Sequence, residues 1–265
     1  MKYARSSRAD LMRKIVAARN IFLMLDFDGT LVSIARSPNA VVLKSQMRSV
    51  VSELGRSPSC RVAVISGRSL KNLIPYFNLK DLFYAGNHGL ELKGRGIRIP
   101  ARATKARKYG ALIWLLGEKL KKDLLKVPGI LIEDKNYTLS VHYRNVPREY
   151  QPFLLQELDF FKRKYSHWPV QWREGKKVLE VRPKVPWGKG DAARYLLSRS
   201  PRALPIVIGD DVTDEDMFRA LRRRGVTIRV GRLARSAAEY YLRSTSDVRS
   251  FLAELVRQRN RHDID

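Results

Sequence analysis

The sequence predicts an α/β protein in which helices cover a parallel β-sheet and a smaller α+β region is inserted within the chain. Three short, unbroken apolar runs carry this prediction, because strands that are buried on both faces are continuously hydrophobic. These runs are Ile21 to Leu25, Val62 to Ile65 and Ile206 to Ile208. Polar loops and helical patterns alternate with the runs, which is typical of a sheet with right-handed crossovers.

Helices of this core are predicted where apolar residues recur every three or four positions. Leu11, Ile15 and Val16 form one such stripe among basic residues near the amino terminus. Similar patterns lie beside each predicted strand, as a layered α/β sheet requires. The predicted core helices cover residues 6–19, 45–54, 69–77 and 190–198.

The middle of the chain has a different pattern, which predicts a small α+β domain. Residues 138–144 alternate apolar and polar side chains, as a half-buried antiparallel strand does. Residues 170–181 have the pattern of a hairpin that turns at Glu174-Gly175-Lys176. Helices are predicted over residues 107–126 and 151–165, the second with an apolar face of Phe153, Leu154, Leu158 and Phe161.

Length and composition limit the protein to one or two globular domains. The chain has 265 residues, of which 44% are hydrophobic, and we predict a core of residues 1–104 and 186–265 with a cap domain of residues 105–185. The single cysteine, Cys60, excludes a disulfide framework and a cysteine zinc site. No apolar run approaches the ~18 residues that cross a bilayer, and the basic amino terminus lacks the apolar segment of a signal peptide. We therefore expect a cytoplasmic monomer that does not bind membranes.

The net charge is unusually high. Fifty-two Lys and Arg against 26 Asp and Glu give a formal charge of +26, and residues 219–235 hold seven arginines and no acid. A solvated basic surface explains this charge without a specific partner. The chain lacks zinc-finger spacing, basic-zipper heptads and the aromatic signature of an RNA-recognition motif. Charge alone predicts only salt-sensitive, non-specific nucleic-acid binding.

Asp26-Phe27-Asp28-Gly29-Thr30, directly after the first predicted strand, is the strongest functional motif. Its two aspartates are two residues apart, so they face the same side of an extended segment. This spacing allows one to act as a nucleophile while the other transfers a proton. Gly29 permits a sharp turn, and Thr30 can hydrogen-bond an anion. An EF-hand calcium loop is excluded, because Thr30 and Ser37 stand where it needs acidic ligands.

Polar residues also follow the other predicted strands, at the edge where ligands of such sheets bind. Ser66 and Gly67 offer a hydroxyl and amides to a phosphate at a helix start, although Ser66 taken alone better fits a simple N-cap. Lys189 opens another helix and can neutralise a phosphate or a phosphorylated aspartate. Residues 210–216 hold five acids. Carboxylates this concentrated beside Asp26 need a cation, and aspartate oxygens favour Mg²⁺.

The chain resembles the haloacid dehalogenase (HAD) superfamily of phosphatases over about residues 20–250. The four motifs of that superfamily match, in order, Asp26-Phe27-Asp28-Gly29-Thr30, Ser66, Lys189 and Gly209-Asp210-Asp211. Further segments are similar to the trehalose-6-phosphate phosphatase family in particular. They are Ile65-Ser66-Gly67-Arg68, Gly86-Asn87-His88-Gly89-Leu90-Glu91, Trp187-Gly188-Lys189-Gly190 and residues 132–135, 140–144, 175–177, 180–183 and 209–218.

This resemblance implies a Rossmann-like HAD core that performs in-line phosphoryl transfer. Asp26 would attack phosphorus and form an aspartyl phosphate, while Asp28 would protonate the leaving sugar oxygen and then activate water. Asp26, the backbone carbonyl of Asp28 and Asp210 would hold Mg²⁺, with Asp211 and Asp214 orienting these groups or Lys189. The implied phosphate-binding residues are Gly29, Thr30, Ser66, Gly67, Arg68 and Lys189.

The resemblance also implies that the cap domain closes over a phosphorylated disaccharide. Charged side chains bind sugar hydroxyls well in a dry cleft. On strands with one wet face, however, such residues are equally expected to be merely solvated, and His88 fits either a sugar contact or a packed position. The implied sugar-binding residues are His88, Glu133, Lys135, Arg144, Lys176 and Glu180.

Three functions are consistent with the sequence. The first is Mg²⁺-dependent hydrolysis of trehalose 6-phosphate to trehalose and phosphate. The second is the same chemistry on another sugar phosphate, such as a glycosyl-3-phosphoglycerate or sucrose phosphate. The third is a basic protein that binds nucleic acid or another anion on an HAD scaffold. The intact set of Asp26, Asp28, Lys189 and Asp210 favours an enzyme.

Overall fold

The computed structural model describes residues 1–4, 6–35, 37–175 and 177–262. Lys176, a predicted sugar-binding residue, therefore lies outside the described residues. The chain divides into two compact units, of which the smaller interrupts the larger. The larger comprises Met1–Ala35, Ala40–Arg98 and Trp187–Asp265, and the smaller comprises Arg36–Asn39 and Ile99–Pro186.

The described residues form these strands and helices in chain order. The strands are β1 (Lys2–Tyr3), β2 (Ile21–Leu25), β3 (Cys60–Ile65), β4 (Phe83–Gly86), β5 (Glu91–Lys93), β6 (Leu131–Asp134), β7 (Leu139–His142), β8 (Val170–Gly175), β9 (Val178–Pro183), β10 (Leu204–Gly209), β11 (Val226–Val230) and β12 (Tyr240–Leu242). The helices are α1 (Arg8–Val16), α2 (Ser45–Arg56), α3 (Leu70–Phe77), α4 (Ala101–Arg107), α5 (Gly110–Leu124), α6 (Gln151–Lys164), α7 (Lys189–Ser198), α8 (Glu215–Leu221) and α9 (Thr245–His262).

Two sheets organise the two units. The larger unit contains an eight-stranded sheet in the order β1-β12-β11-β10-β2-β3-β4-β5, parallel except for the β4–β5 pair. The smaller unit contains an antiparallel sheet in the order β6-β7-β9-β8. These sheets confirm the predicted α/β class with a parallel core sheet and a separate α+β region.

The central strand β2 is apolar throughout because helices cover both faces of the larger sheet. Ile21, Leu23 and Leu25 of β2 pack with α1, α2, α3 and α9 on one face. Phe22 and Met24 pack with α7 and α8 on the other face. A strand of this kind has no solvated side, and this explains why its boundaries were predictable from hydrophobicity alone.

Several core elements differ from the prediction or were missed by it. The amino-terminal helix is shorter than residues 6–19, and Val16, expected on its apolar face, is 36% exposed. β1, β5 and β12 have only two or three residues each, too few to show any periodicity. None of the helices in the described part of the chain combines the length and the apolar character that crossing a bilayer requires.

The smaller unit has its own core between one face of its sheet and two helices. Leu139, Val141, Leu179 and Val181 project from β7 and β9 into a cluster with side chains of α5 and α6. The alternate residues of these strands include Ser140 and Glu180, which pair across the sheet. The antiparallel sheet therefore has one apolar face and one polar face, as the alternating sequence predicted.

The helices of the smaller unit differ from the prediction in two respects. The helix predicted over residues 107–126 corresponds to α5, Gly110–Leu124, but α4 before it was missed because only alanines, Ala103 and Ala106, form its buried side. Phe153 of α6 is 48% exposed, not part of the apolar face. Leu154, Leu158 and Phe161 follow the helical spacing of four and three residues, and Phe153 lies about 100° from that row.

Candidate active site

The larger unit brings four sequence-predicted groups to the carboxyl edge of its sheet. Asp26 follows β2, Ser66 follows β3 and Asp210 follows β10, while Lys189 is the first residue of α7. Side chains of all four are buried. Because β10, β2 and β3 are adjacent parallel strands, their carboxyl ends meet at one place.

Lys189 lies between two buried carboxylates. Its Nζ atom donates to Oδ1 of Asp26 at 2.6 Å and to Oδ1 of Asp214 at 2.8 Å. The exposure of these side chains is only 4% for Lys189, 5% for Asp26 and 0% for Asp214. Burial alone would lower the pKa of Lys189, but the charges of Asp214 and Asp26 outweigh burial and raise that pKa above its ordinary value. Lys189 is therefore a fixed positive charge beside Asp26.

Asp214 organises the acidic loop after β10. While its Oδ1 accepts from Lys189, its Oδ2 accepts the backbone N–H groups of Asp210 and Asp211, both at 2.9 Å. Both carboxylate oxygens are thus engaged in holding other parts of the site. The side chain of Asp211 is half-buried, and its backbone N–H belongs to this arrangement.

The donor set fits a hard divalent cation. Carboxylate oxygens of Asp26, Asp210 and Asp214 lie within 4.8 Å of one another. Burial raises the pKa of Asp26 well above its ordinary value, Asp214 and Asp210 raise it further, and Lys189 opposes them. Three clustered carboxylates against one lysine leave an excess of negative charge in a buried place, which a cation with oxygen ligands such as Mg²⁺ would neutralise.

Gly29 and Thr30 contact Asp210. The backbone φ of Gly29 is +90°, and a Cβ atom there would lie 2.3 Å from the Asp210 carboxyl carbon, so only glycine fits. The Gly29 N–H donates to the carbonyl of Val32 at 2.8 Å, and the Thr30 hydroxyl donates to Asp210 Oδ1 at 3.5 Å. Both residues shape the turn and contact Asp210 in this structure, and their role in phosphate binding stays a prediction.

Arg68 holds Asp28 in a two-pronged ion pair. Its Nε and Nη2 atoms donate to the two carboxylate oxygens of Asp28, each at 2.7 Å. The guanidinium carbon also lies 5.3 Å from the ring centre of Phe27 and 5.5 Å from that of Tyr76. The structure pairs Arg68 with the second aspartate of the motif, and its predicted phosphate contact stays a prediction. Forty residues separate the partners, and no sequence pattern connects them.

Hydrogen bonds to the backbone shape the loop that begins with Ser66 after β3. The Ser66 hydroxyl accepts the N–H of Arg68 at 3.1 Å, and its carbonyl accepts the N–H of His88 at 2.9 Å. His88 has a positive φ of 56°, and a Cβ atom at Gly67 would lie 2.7 Å from its ring. His88 therefore belongs to the larger unit and packs against the predicted phosphate loop. Glu91 supports the same loop by accepting the N–H of Leu70 at 3.0 Å.

Arg229 is a buried supporting residue that the sequence analysis missed. It donates to the backbone carbonyls of Asp210 and Asp211 and pairs with Glu215 at 3.1 Å. Glu215 in turn accepts the N–H of Ala237 at 2.7 Å. Its position could have indicated burial, because Arg229 interrupts the otherwise β-branched strand Val226-Thr227-Ile228-Arg229-Val230, where a solvated arginine is unexpected.

The polar face of the smaller sheet holds several predicted sugar-binding residues. Lys135 Nζ lies 3.6 Å from Glu180 and 3.9 Å from Glu133. The prediction overlooked two neighbours, since His142 contacts Glu133 at 3.1 Å and Arg182 pairs with Glu180. Their spacing of two residues from Ser140 and Glu180 could have placed both on this face. Arg144 is exposed beyond the end of β7.

Comparison with known proteins finds relatives of this chain among phosphatases. A family model described as trehalose-phosphatase matches residues 24–246. Probable trehalose-phosphate phosphatase 9 from Oryza sativa subsp. japonica is 32% identical over 266 residues, covering 90% of this chain and 70% of the relative. Probable trehalose-phosphate phosphatase C from Arabidopsis thaliana is 32% identical, covering 95% of this chain and 82% of the relative.

Solved structures show the same architecture. Trehalose-6-phosphate phosphatase from Aspergillus fumigatus has a TM-score of 0.63 and 27% identity, covering 94% of this chain and 97% of that chain. The C-terminal domain of C. albicans trehalose-6-phosphate phosphatase has a TM-score of 0.79 at 22% identity, covering 94% of this chain and 96% of that chain, and so shows similarity of fold.

Replacing Arg229 tests whether the buried pair supports the acidic loop. Arg229→Met leaves Glu215 without its countercharge, which typically costs about 3–5 kcal/mol of unfolding free energy. Urea unfolding followed by circular dichroism measures this loss. Arg232→Met is the matched control, since Arg232 is an exposed residue of the same basic segment and its replacement should cost under about 0.5 kcal/mol. Equal losses in both variants would contradict a role of the Arg229–Glu215 pair.

Proposed function

This chain belongs to the trehalose-phosphatase family, and we propose that it hydrolyses trehalose 6-phosphate to trehalose and inorganic phosphate. It has the HAD fold and it is a phosphatase. The proposal depends chiefly on the buried contact of Lys189 with Asp26, beside the oxygens of Asp210. A carboxylate that is almost fully buried beside a permanent cation is suited to accept a phosphoryl group.

We propose that the reaction proceeds in two displacements. An oxygen of Asp26 attacks phosphorus, the bond from phosphorus to the sugar oxygen breaks, and Asp28 as an acid donates a proton to that oxygen. Water then attacks the aspartyl phosphate and gives its proton to Asp28, which regenerates Asp26 and releases phosphate. Arg68 holds both oxygens of Asp28 at 2.7 Å, so one oxygen must leave the guanidinium before Asp28 can donate its proton.

The remaining residues of the larger unit stabilise charge around the phosphoryl group. Lys189 faces the attacked position because it already contacts Asp26. Ser66 and Gly67 supply the proposed phosphate contacts from the next strand. Asp26, Asp210 and the backbone carbonyl of Asp28 would hold Mg²⁺, with Asp214 orienting Lys189 and the loop. When bound, the ion supplies Lewis-acid stabilisation of the charge on the phosphoryl oxygens.

We propose that the smaller unit recognises the sugar. Glu133, Lys135 and Glu180 share the polar face of its sheet and contact one another, which holds their side chains in place for hydroxyl groups. Arg144 and Lys176 complete the proposed set of this unit. A disaccharide with many hydroxyls and no charge besides its phosphate fits such groups.

The role of Asp26 is tested by Asp26→Asn. An amide cannot form the aspartyl phosphate, so release of phosphate from trehalose 6-phosphate should fall by at least about 10³-fold. Circular dichroism should show an unchanged fold. Asp81→Asn, at an exposed position of the same unit, serves as the control and should keep full activity. Activity of Asp26→Asn close to that of the parent would disprove the proposed nucleophile.

Metal dependence is tested by chelation and by Asp210→Asn. EDTA should abolish phosphate release and added Mg²⁺ should restore it, because the buried carboxylates need a cation. Asp210→Asn should raise the Mg²⁺ concentration for half-maximal activity by about tenfold or more. Asp216→Asn, which replaces an exposed acid at the start of α8, should leave that concentration unchanged. Full activity of the parent in chelator would rule out the metal site.

Sugar recognition is tested by comparing trehalose 6-phosphate with a small aryl phosphate. Glu180→Ala and Arg144→Ala should lower kcat/KM for the sugar ester by about 10²-fold and leave the aryl ester nearly unchanged, since that ester lacks the hydroxyl contacts. Lys189→Ala should slow both esters equally. Glu149→Ala, at an exposed position of the smaller unit, should affect neither.

Two outcomes would revise the substrate assignment. Equal losses on both esters for Glu180→Ala and Arg144→Ala would mean that these residues support the fold and do not select the sugar. Faster hydrolysis of sucrose phosphate or a glycosyl-3-phosphoglycerate, measured in the same panel, would replace trehalose 6-phosphate as the substrate.

A further inference from the structure

Exposed arginines concentrate at the amino edge of the parallel sheet in the larger unit, opposite the edge that carries the acids. Four neighbouring strands, β11, β10, β2 and β3, begin there side by side. The segments at their starts hold eight exposed arginines and no aspartate or glutamate. These segments, which together form the arginine edge, are residues 222–225, 199–203, 17–20 and 56–61.

Helix ends explain only part of this charge. α1, α2, α7 and α8 end at this edge, and helix carboxyl ends favour cations. Arg61 donates to the carbonyl of Arg199 at 3.0 Å and Arg224 to that of Pro201 at 3.5 Å. The side chains of Arg19, Arg202, Arg222 and Arg223 are exposed to solvent. Eight like charges on adjacent loops repel one another, so an anion that neutralises them would stabilise the edge.

The composition of the arginine edge favours a phosphate backbone over other anionic partners. Besides arginine it contains only Ala, Asn, Ser, Pro, Gly and Cys60. It has no large apolar or aromatic side chain that could enter a membrane or form the core of a protein interface. It also has no aromatic ring on which unpaired bases could stack. Arginine with Ser and Asn is the usual set for phosphate contacts on duplex nucleic acid.

The spacing of the charges also suits a duplex. Four adjacent strands at about 4.8 Å span roughly 14 Å. A duplex presents one phosphate charge per ~1.7 Å of its axis, or about eight charges over that length. This number matches the eight arginines of the edge.

From these observations we propose that the arginine edge binds the phosphate backbone of duplex nucleic acid without reading its sequence. Binding there leaves the carboxyl edge, with Asp26 and Lys189, open to its small substrate. The function is additional to hydrolysis and does not depend on which sugar phosphate the enzyme uses.

The test compares two variants of the whole protein with equal net charge. The edge variant carries Arg19→Gln, Arg202→Gln, Arg222→Gln and Arg223→Gln. The control variant carries Arg102→Gln, Lys105→Gln, Lys119→Gln and Lys122→Gln, which are exposed positions of α4 and α5 in the smaller unit. Each variant lowers the formal charge from +26 to +22, since 26 − 4 = 22. The probe is a fluorescent DNA duplex of about 20 base pairs, titrated between about 50 and 200 mM salt.

The edge variant should bind the duplex at least about tenfold more weakly than the parent, with a log–log salt slope smaller by roughly 3 to 4. The control variant should change that slope by less than about one. Two duplexes of unrelated sequence should bind the parent equally, and kcat/KM for phosphate release should stay within about twofold in both variants.

Three results would overturn the proposal. Equal weakening in both variants would mean that the attraction comes from diffuse charge. Tighter binding to vesicles containing phosphatidylserine than to the duplex would assign the edge to a membrane surface. Inhibition of phosphate release by the duplex, overcome by raising the concentration of the sugar phosphate, would place the DNA at the catalytic edge.

Discussion

The contact of Lys189 with Asp26 and Asp214 is the constraint on which the rest of the site depends. Two carboxylates that are almost fully buried would be costly unless a cation lay between them, and breaking such a pair strongly destabilises a protein. Lys189 stands 163 residues from Asp26 and 25 from Asp214, so the triad joins the end of β2, the start of α7 and the loop after β10. Because Asp214 also fixes the amides of Asp210 and Asp211, the position of Lys189 determines where the acids lie.

Two arginines orient the residues next to this triad. Arg68, which follows β3, pairs with Asp28. Arg229, on β11, donates to the backbone carbonyls of Asp210 and Asp211. These two arginines therefore lie inside the molecule, where they support a cluster of acids. Eight exposed arginines lie at the amino edge of the same sheet, so the length of the strands separates them from the acids at the carboxyl edge. One sheet therefore presents two surfaces of opposite chemistry.

Prediction from the sequence succeeded where burial imposes a repeating pattern. β2 was predicted to the residue because every one of its side chains is buried, and the apolar face of β7 and β9 followed from their alternation. The errors have physical causes too. α4 buries only alanines, Phe153 lies beside the buried row of α6, and edge strands such as β1 are too short to be periodic. Arg182 and His142 were not included among the sugar-binding residues, because a charged residue on the polar face of a half-buried strand is equally expected to be merely solvated.

The sequence by itself determined the α/β class, the central strands and the chemical types of the site, since hydrophobic runs and an aspartate pair at a strand end are local features. Only the tertiary structure decided which charge meets which. It paired Arg68 with Asp28, placed Thr30 on Asp210, engaged both oxygens of Asp214 and seated Arg229 beneath the acidic loop. Most of these pairings join residues 18 to 180 positions apart. They depend on strand order, which brings distant residues together. They also depend on burial, because charged groups that are shielded from water interact more strongly and need a specific partner.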